Sequence, residues 1–337
     1  MVKYLFKLRR VKELKTIKLT EAAMLSAFFI VSSVLAIGTG IGYSIYLSFI
    51  VPIIVTLIYN RCGLKYGSLA CIITLILILF TLGDLAAVLY IIQGVFLGGI
   101  CAIVINSKKN IYDDLFYASI LSCFAIMITD VALTPVVGMS IVQEFQETAN
   151  MCKEMFASYG MATSQITDIV VYICIAAVPI GTVIIAYFGV LLVGRKLNEL
   201  SDSARKKSSI IINFKKLGGY LCCSNQTILI GSVFIIIVNI MLYMNIKIPN
   251  NYLNIIFMAS YIITIYFILR DSLSFIAKTI YKVTKSNLAF YGFEILTIVL
   301  LVNYFKVTLS ILIVLNIVLD KKLRYREKQI KYVELNI

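Results

Sequence analysis

Residues 67–105 read GSLACIITLILILFTLGDLAAVLYIIQGVFLGGICAIVI, 39 residues in which Asp84 is the one charged side chain. Gly83-Asp84 divides the stretch into apolar runs over 67–83 and 85–105, each close to the roughly 20 residues a helix needs to cross about 30 Å of hydrocarbon. Further runs lie at 20–41, 43–59, 115–137, 166–193, 226–245, 251–269, 288–304 and 306–319. Of the 337 residues 61% are hydrophobic and 14% charged, with a mean hydropathy of +0.95, against about 45–50% and about 25% in soluble domains. No soluble core hides that much apolar surface, so the bilayer is the solvent for most of the chain. Ordinary soluble enzymes, nucleic-acid-binding proteins and disordered chains are thereby excluded.

The net charge of +14 invites a nucleic-acid reading, but the basic residues sit between apolar runs, where they set topology. Lys3 to Lys18 precede the first run. Val34-Leu35-Ala36 has the form of a cleavage site, yet the run is long and many others follow, so it reads as an uncleaved first helix. With ten crossings and a cytoplasmic N-terminus, only Lys153, Lys247 and Lys306 of the 31 Lys and Arg residues fall outside. The last run is short, but merging it with its predecessor would export Lys321, Lys322, Arg324, Arg326, Lys328 and Lys331, against the positive-inside bias. The expectation is an all-α polytopic transmembrane helix bundle of about ten spans, within a range of eight to ten.

On this reading a basic cytoplasmic N-terminus (1–18) leads to a six-span membrane domain (19–193). A basic cytoplasmic linker (194–220), a four-span membrane domain (221–319) and a basic cytoplasmic tail (320–337) follow. Between Gly138 and Gln165 an outside loop carries Ile141, Phe145, Cys152, Met155 and Tyr159 at steps near three and four. That spacing predicts an amphipathic helix over 141–159, lying on the outer leaflet, capping the bundle, or simply solvated.

The chemistry is restricted from the start. Without histidine the commonest general base and the commonest metal ligand are both missing. No phosphate-binding G-x-x-x-x-G-K-[ST] loop, zinc motif or G-x-S-x-G elbow is present, so neither catalytic residue nor metal or other cofactor is expected. Energy from ATP would have to come from another subunit. The eight cysteines form no C-x-x-C pair and mostly fall in apolar runs, where they act as small hydrophobes; Cys222-Cys223 is read as packing.

Ionisable and amide groups at membrane depth carry the functional signal, because placing them there is costly. Asp84 lies at the outer turn between spans three and four, and Gln93 is two to three helical turns into span four. Asp130 and Thr134 occupy the outer half of span five just before Pro135, and Asp168 begins span six. Such a cluster suits a pocket open to the outside that meets a cationic or hydrogen-bonding solute. The structural alternative makes Asp84 and Asp168 helix caps and Asp130 an interhelical hydrogen bonder. Glu294 stands apart and is placed to reach toward Lys285. Glu21 is placed at a first helical turn, facing the positive end of its dipole. Ala23 and Ala27 lie one turn apart on a single face of span one, and Gly94, Gly98 and Gly99 smooth span four; such faces let helices approach closely in lipid.

The basic N-terminus, Leu19-Thr20-Glu21-Ala22-Ala23 opening an apolar helix, and Cys62-Gly63-Leu64-Lys65-Tyr66-Gly67 after span two together resemble the YybS-like family of bacterial polytopic membrane proteins. The outside helix, Pro179 in span six, the Arg195-Lys196 exit and Leu319-Asp320-Lys321-Lys322-Leu323-Arg324 extend the likeness along nearly the whole chain. That family has no established activity, so the likeness implies a fold and a bacterial cytoplasmic membrane. Residues 15–200 are also similar, more distantly, to the substrate-binding S-components of energy-coupling-factor transporters. This second likeness implies that Ala23 and Ala27 dock onto a transmembrane coupling subunit with its ATPases, while Asp84, Gln93, Asp130 and Thr134 face a small solute. The four extra spans depart from it. A second reading is a scaffold or regulator that carries no solute and recruits partners through basic segments. There Arg205, Lys206 and Lys207 attract anionic lipid at about 1 kcal/mol per charge. A third is a membrane-embedded enzyme that divides acid and base roles between Asp84 and Asp130.

Overall fold

The computed structural model describes residues 2–40, 42–138, 140–158, 164–246 and 248–335. All regular structure among them is helical: α1 (Val2–Thr39), α2 (Tyr43–Ile45), a π-turn (Tyr46–Ile50), α3 (Val51–Leu82), α4 (Leu85–Ile105), α5 (Ile111–Val137), α6 (Ile141–Ser158) and α7 (Ser164–Lys196). There follow α8 (Asp202–Ile212), α9 (Phe214–Leu217), a 3₁₀ turn (Gly218–Tyr220), α10 (Asn225–Tyr243), α11 (Asn251–Thr284), α12 (Asn287–Asn303), α13 (Phe305–Leu323) and α14 (Tyr325–Leu335). Seven helical segments among the described residues are long and apolar enough to cross a membrane. The protein is an all-α, multi-pass membrane protein.

One of those segments, Tyr43–Leu82, is 40 residues long, twice what the hydrocarbon requires. Gly63 divides it. At φ 80° and ψ 168° it adopts a backbone that only glycine takes without strain, and the chain folds back on itself. A Cβ on Gly67 would stand 3.3 Å from the Cα of Tyr59, and the Tyr59 and Ser68 hydroxyls are 3.3 Å apart. In a straight helix residues eight apart lie about 12 Å apart. The last two apolar helices repeat the device. At Tyr304 (φ −136°, ψ 54°) helix α12 ends, and the Thr308 hydroxyl donates to the Leu300 carbonyl at 3.0 Å, so α13 returns alongside α12 rather than extending it.

The chain falls into two compact units, Met1–Ser107 with Ala118–Ser208, and Lys108–Tyr117 with Ser209–Ile337. In the first, α1, the two arms of α3 and α4 share a core of Phe29, Tyr46, Val51, Val55, Ile58, Ile78 and Ile91. The π-turn before Pro52 directs the Tyr46 hydroxyl onto Ser32 (2.9 Å) and Ser33 (2.8 Å). The smooth face of α4 meets α3: a Cβ on Gly98 would stand 2.7 Å from Val55 and 2.9 Å from the Pro52 carbonyl oxygen. Thr56 uses that closeness to donate to the Gly98 carbonyl at 3.0 Å.

At the Lys/Arg-rich end of this unit, Arg61 reaches Glu21 (3.3 Å) and Glu199. Helix α1 begins at Val2, so Glu21 sits well inside it. The pairing with Arg61, and not a helix-start dipole, accounts for that carboxylate. Lys207 is buried, and its ammonium donates to the carbonyls of Ile105 (3.0 Å) and Ser107 (2.7 Å) at the end of α4. A cation there satisfies orphan carbonyls and opposes the negative end of the helix dipole. Of the three basic residues read as lipid-attracting, only Arg205 and Lys206 are exposed.

In the second unit α10, α11 and α13 pack around Ile228, Ile235, Tyr261, Ile268, Leu309 and Ile313. Helix α12 buries only Thr297 among its described side chains. Glu294, half-buried, makes no hydrogen bond or ion pair with Lys285 or any other described residue.

The α3–α4 contact yields a direct test. Gly98→Val drives methyl groups into Val55 and the Pro52 carbonyl and is expected to cost about 1–3 kcal/mol, read as a lower unfolding midpoint of the detergent-solubilised protein. Gly99→Ala, whose Cβ would meet Tyr59 at an ordinary 3.6 Å, leaves the midpoint in place.

Candidate functional site

The residues singled out by sequence take different positions. Asp84 is the N-cap of α4; its Oδ1 accepts the backbone N–H groups of Ala86 (3.0 Å) and Ala87 (3.1 Å), satisfying two orphan donors. Thr134 returns its hydroxyl to the Asp130 carbonyl at 2.6 Å, one turn back in its own helix. Asp168 lies outside the described side chains, as do Cys152, Met155 and Tyr159 of the outer segment. Helix α6 itself runs from Ile141 to Ser158.

Asp130 and Gln93 are the buried members. Asp130 has no exposed surface, and its Oδ2 accepts the Ser140 hydroxyl at 2.9 Å. Ser140 in turn receives the Gln143 backbone N–H at 3.4 Å. The carboxylate thus fixes the residue that starts α6. Four residues on, Glu144 Oε2 accepts the Tyr90 hydroxyl at 3.4 Å. Tyr90 also lies within electrostatic range of Tyr43 and Asp130, and Tyr43 within range of Asp84. Asp84 and Asp130 therefore share an electrostatic neighbourhood with Tyr43, Tyr90 and Glu144, residues that the sequence reading did not single out. Gln93 follows Tyr90 by three residues, on the same face of α4. It is 7% exposed, and its amide Nε2 has no hydrogen-bond partner.

Helix α5 carries a second feature missed in sequence. Ser119, Ser122, Thr129 and Asp130 recur near helical spacing and are all buried, and the hydroxyls of Ser119 and Ser122 have no partner. In a membrane helix a serine ordinarily bonds a carbonyl one turn back, as Thr129 does to Ala125 at 3.0 Å. The periodicity of Ser119 and Ser122 is readable in the chain; their lack of partners is not.

On α1, Ala22, Ser26, Phe29 and Ser33 face the core, and Ser26 donates to the Ala70 carbonyl at 3.3 Å. Ala23 and Ala27 are exposed beside Met24 and Phe28, on a face that no other described element covers.

The second unit contains a buried ionic network at the end of α13. Arg324 takes a left-handed conformation (φ 47°) and donates its N–H to the Asp320 carbonyl at 2.7 Å, so the chain turns and Arg326 enters the protein interior. Its guanidinium donates to Asp271 Oδ2 (2.6 Å), to the Cys223 carbonyl (2.7 Å) and to Asn316 Oδ1. Asn316 donates onward to Ser272 (2.7 Å) and Asp271 (3.3 Å), and Asp271 Oδ1 accepts the Cys223 N–H at 2.8 Å. Asp113, on α5, holds the neighbouring Ser224 N–H at 2.8 Å. Burial works against the charge on Arg326, but Asp271 outweighs it and keeps the guanidinium protonated, above its ordinary range. Burial also pushes the Cys222 thiol up to about 12 and Cys223 well above its usual value, so neither is a nucleophile at neutral pH.

Among the described residues no group of His, Cys, Asp and Glu side chains is arranged to hold a metal ion. No protein-family model, no curated protein and no solved structure matches the chain.

Removing one member of the Arg326–Asp271 pair leaves a buried charge uncompensated, so Arg326→Leu is expected to cost about 3–5 kcal/mol in a denaturation series. Replacing Arg326 and Asp271 together by apolar residues recovers much of that loss. In the folded wild-type protein Cys222 and Cys223 resist alkylation at pH 8, and peptide mapping finds them modified only once the protein is unfolded.

Proposed function

We propose that this membrane protein binds a small cationic or hydrogen-bonding solute at the acidic end of its first unit, without an ATPase of its own, and depends on partner subunits for energy. The observation that carries this reading is the Gln93 amide: nearly buried in a membrane helix, with no partner for its Nε2. Hydrocarbon offers it no replacement for water, and an unmade hydrogen bond of this kind costs about 1–3 kcal/mol. A bound solute supplies the missing acceptor. The carboxylates of Asp84 and Asp130 and the Tyr90–Glu144 contact surround the same end with negative and hydrogen-bonding groups. Helix α6, started at Ser140 on Asp130 and held by Glu144 on Tyr90, supplies a cover.

The positive-inside distribution supports ten crossings with both termini cytoplasmic, the reversals at Gly63 and Tyr304 providing two of the turns. On that topology the acidic cluster lies outside and the exposed face of Ala23 and Ala27 toward the inner half of the first span. A coupling helix would approach closely there, as the resemblance to S-components implies. Asp84 Oδ1 and the Thr134 hydroxyl are committed to the ends of α4 and α5, which leaves Asp84 Oδ2 to face the solute.

Mass spectrometry of the full chain, purified gently from its native membrane, tests both parts. The wild-type protein is expected to carry a co-purified small molecule. Asp130→Asn and Gln93→Leu are expected to lose at least about tenfold in occupancy, equivalent to about 1.4 kcal/mol. Equal occupancy in both variants sinks the solute site. Ala23→Leu with Ala27→Leu leaves insertion intact and removes co-purifying transmembrane and ATPase subunits; retention of those subunits rejects docking through this face.

A further inference from the structure

The second unit carries a partly open cavity of about 230 Å³ whose lining includes Tyr112, Phe267, Gly218, Gly219, Arg270 and Ser274. Arg270, an exposed residue, is its cationic member. Its guanidinium carbon lies over the Tyr112 ring, 4.3 Å from the centroid, and the side chain makes no hydrogen bond or ion pair to any described group. The adjacent carboxylate does not answer it. Asp271 also lines the cavity, but its two oxygens are taken by Arg326, Asn316 and the Cys223 N–H. The cavity therefore carries a positioned guanidinium with its donors unspent, beside a carboxylate already neutralised by a second arginine.

Ser274, in the lining, and Lys278, outside it, follow Arg270 at steps of four, which stacks the three on one face of α11, and neither the hydroxyl nor the ammonium has a hydrogen-bond partner among the described residues. Lys215 and Lys216, exposed, follow Phe214, which also lines the cavity. A Cβ on Gly219 would meet nothing within 4 Å. The depth is informative as well. Arg270 is 19 residues beyond Asn251, where α11 begins, which is about 28 Å along the helix axis. That distance matches the thickness of the hydrocarbon layer; with Asn251 at the opposite interface, Arg270 falls at head-group level.

We infer that this cavity binds a phosphate group, held by the Arg270 guanidinium and Ser274, with the Lys278 ammonium one helical turn beyond. A planar fork of donors held over an aromatic ring suits the recognition of phosphate oxygens in pairs. The volume falls below the roughly 300–1,000 Å³ of sites for drug-sized ligands, so the ligand is a head group or a small phosphate ester and not a nucleotide. The head-group depth makes an anionic phospholipid the favoured source, and a soluble phosphate ester offers the same chemistry.

Thermal unfolding of the full-length protein in detergent, followed with a thiol-reactive dye that reports its buried cysteines, provides the test. Phosphatidylglycerol in mixed micelles, inorganic phosphate and glycerol 3-phosphate serve as separate probes. The wild-type midpoint is expected to rise with phosphatidylglycerol, and Arg270→Gln is expected to weaken the apparent affinity at least about tenfold. Gly219→Leu fills the open space without removing a contact. It is expected to abolish the response and carries the test if Arg270→Gln does not fold. A rise with phosphatidylglycerol alone assigns the site to lipid; an equal rise with either soluble probe assigns it to a free phosphate ester. No rise with any probe, or a response unchanged in both variants, overturns the inference.

Discussion

Hydrocarbon can neither donate nor accept a hydrogen bond, so a polar side chain at membrane depth must find its partner inside the protein or bear the cost. Most of this chain obeys through the cheapest route. Thr129, Thr134, Thr182 and Thr264 return their hydroxyls to a carbonyl one turn back, at 2.6–3.0 Å. Thr56 does the same at Pro52 and spans to the Gly98 carbonyl as well, which is why the α3–α4 approach had to be smoothed by glycine. Against that background, groups left without a partner stand out. Gln93, Ser119 and Ser122 in the first unit are such groups, and each lies on a helix that also bears a member of the acidic cluster.

The same constraint explains which parts of the architecture were legible in sequence. Long apolar runs identify membrane helices whatever their neighbours are, because the requirement is length and composition. The breaks were legible where composition changed, as at Cys62–Gly67 with its Arg61 and Lys65, and at Lys306. They were not legible where a helix simply continued past its apolar run. The basic segment Lys3–Lys18 has no helix-breaking residue, so α1 extends back to Val2 and Glu21 loses the terminal position that its spacing suggested. Likewise α11 runs on past its apolar run to Thr284, carrying Arg270 and Lys278 with it.

The candidate sites divide along a similar line. Asp84 and Asp130 could be picked from sequence because a carboxylate in or beside an apolar run is rare. Their connection through Tyr43, Tyr90 and Glu144 could not, since tyrosine is common in this chain and Glu144 belongs to an exposed-looking segment. Partners distant in sequence leave no local mark. Asp113 and Ser224 are 111 residues apart, and Asp271 and Arg326 are 55 apart; neither pairing has a spacing that a reader of one chain could recognise.

Basic residues show the deepest difference between counting charges and locating them. Lys207 and Arg326 both lie in segments that read as solvated and cationic, and both are buried: one on the carbonyls closing α4, the other on Asp271 and the Cys223 carbonyl. Topology is still readable from such residues, because carrying a lysine or arginine across the bilayer is costly whether or not the side chain later finds a partner. Surface attraction to anionic lipid is another matter, since it depends on charge that remains open to the interface. Arg326 neutralises Asp271 and so removes the nearest carboxylate from Arg270. A residue counted as part of a basic tail thus acts on a cavity it does not line, leaving the guanidinium on Tyr112 as the charge available to a ligand.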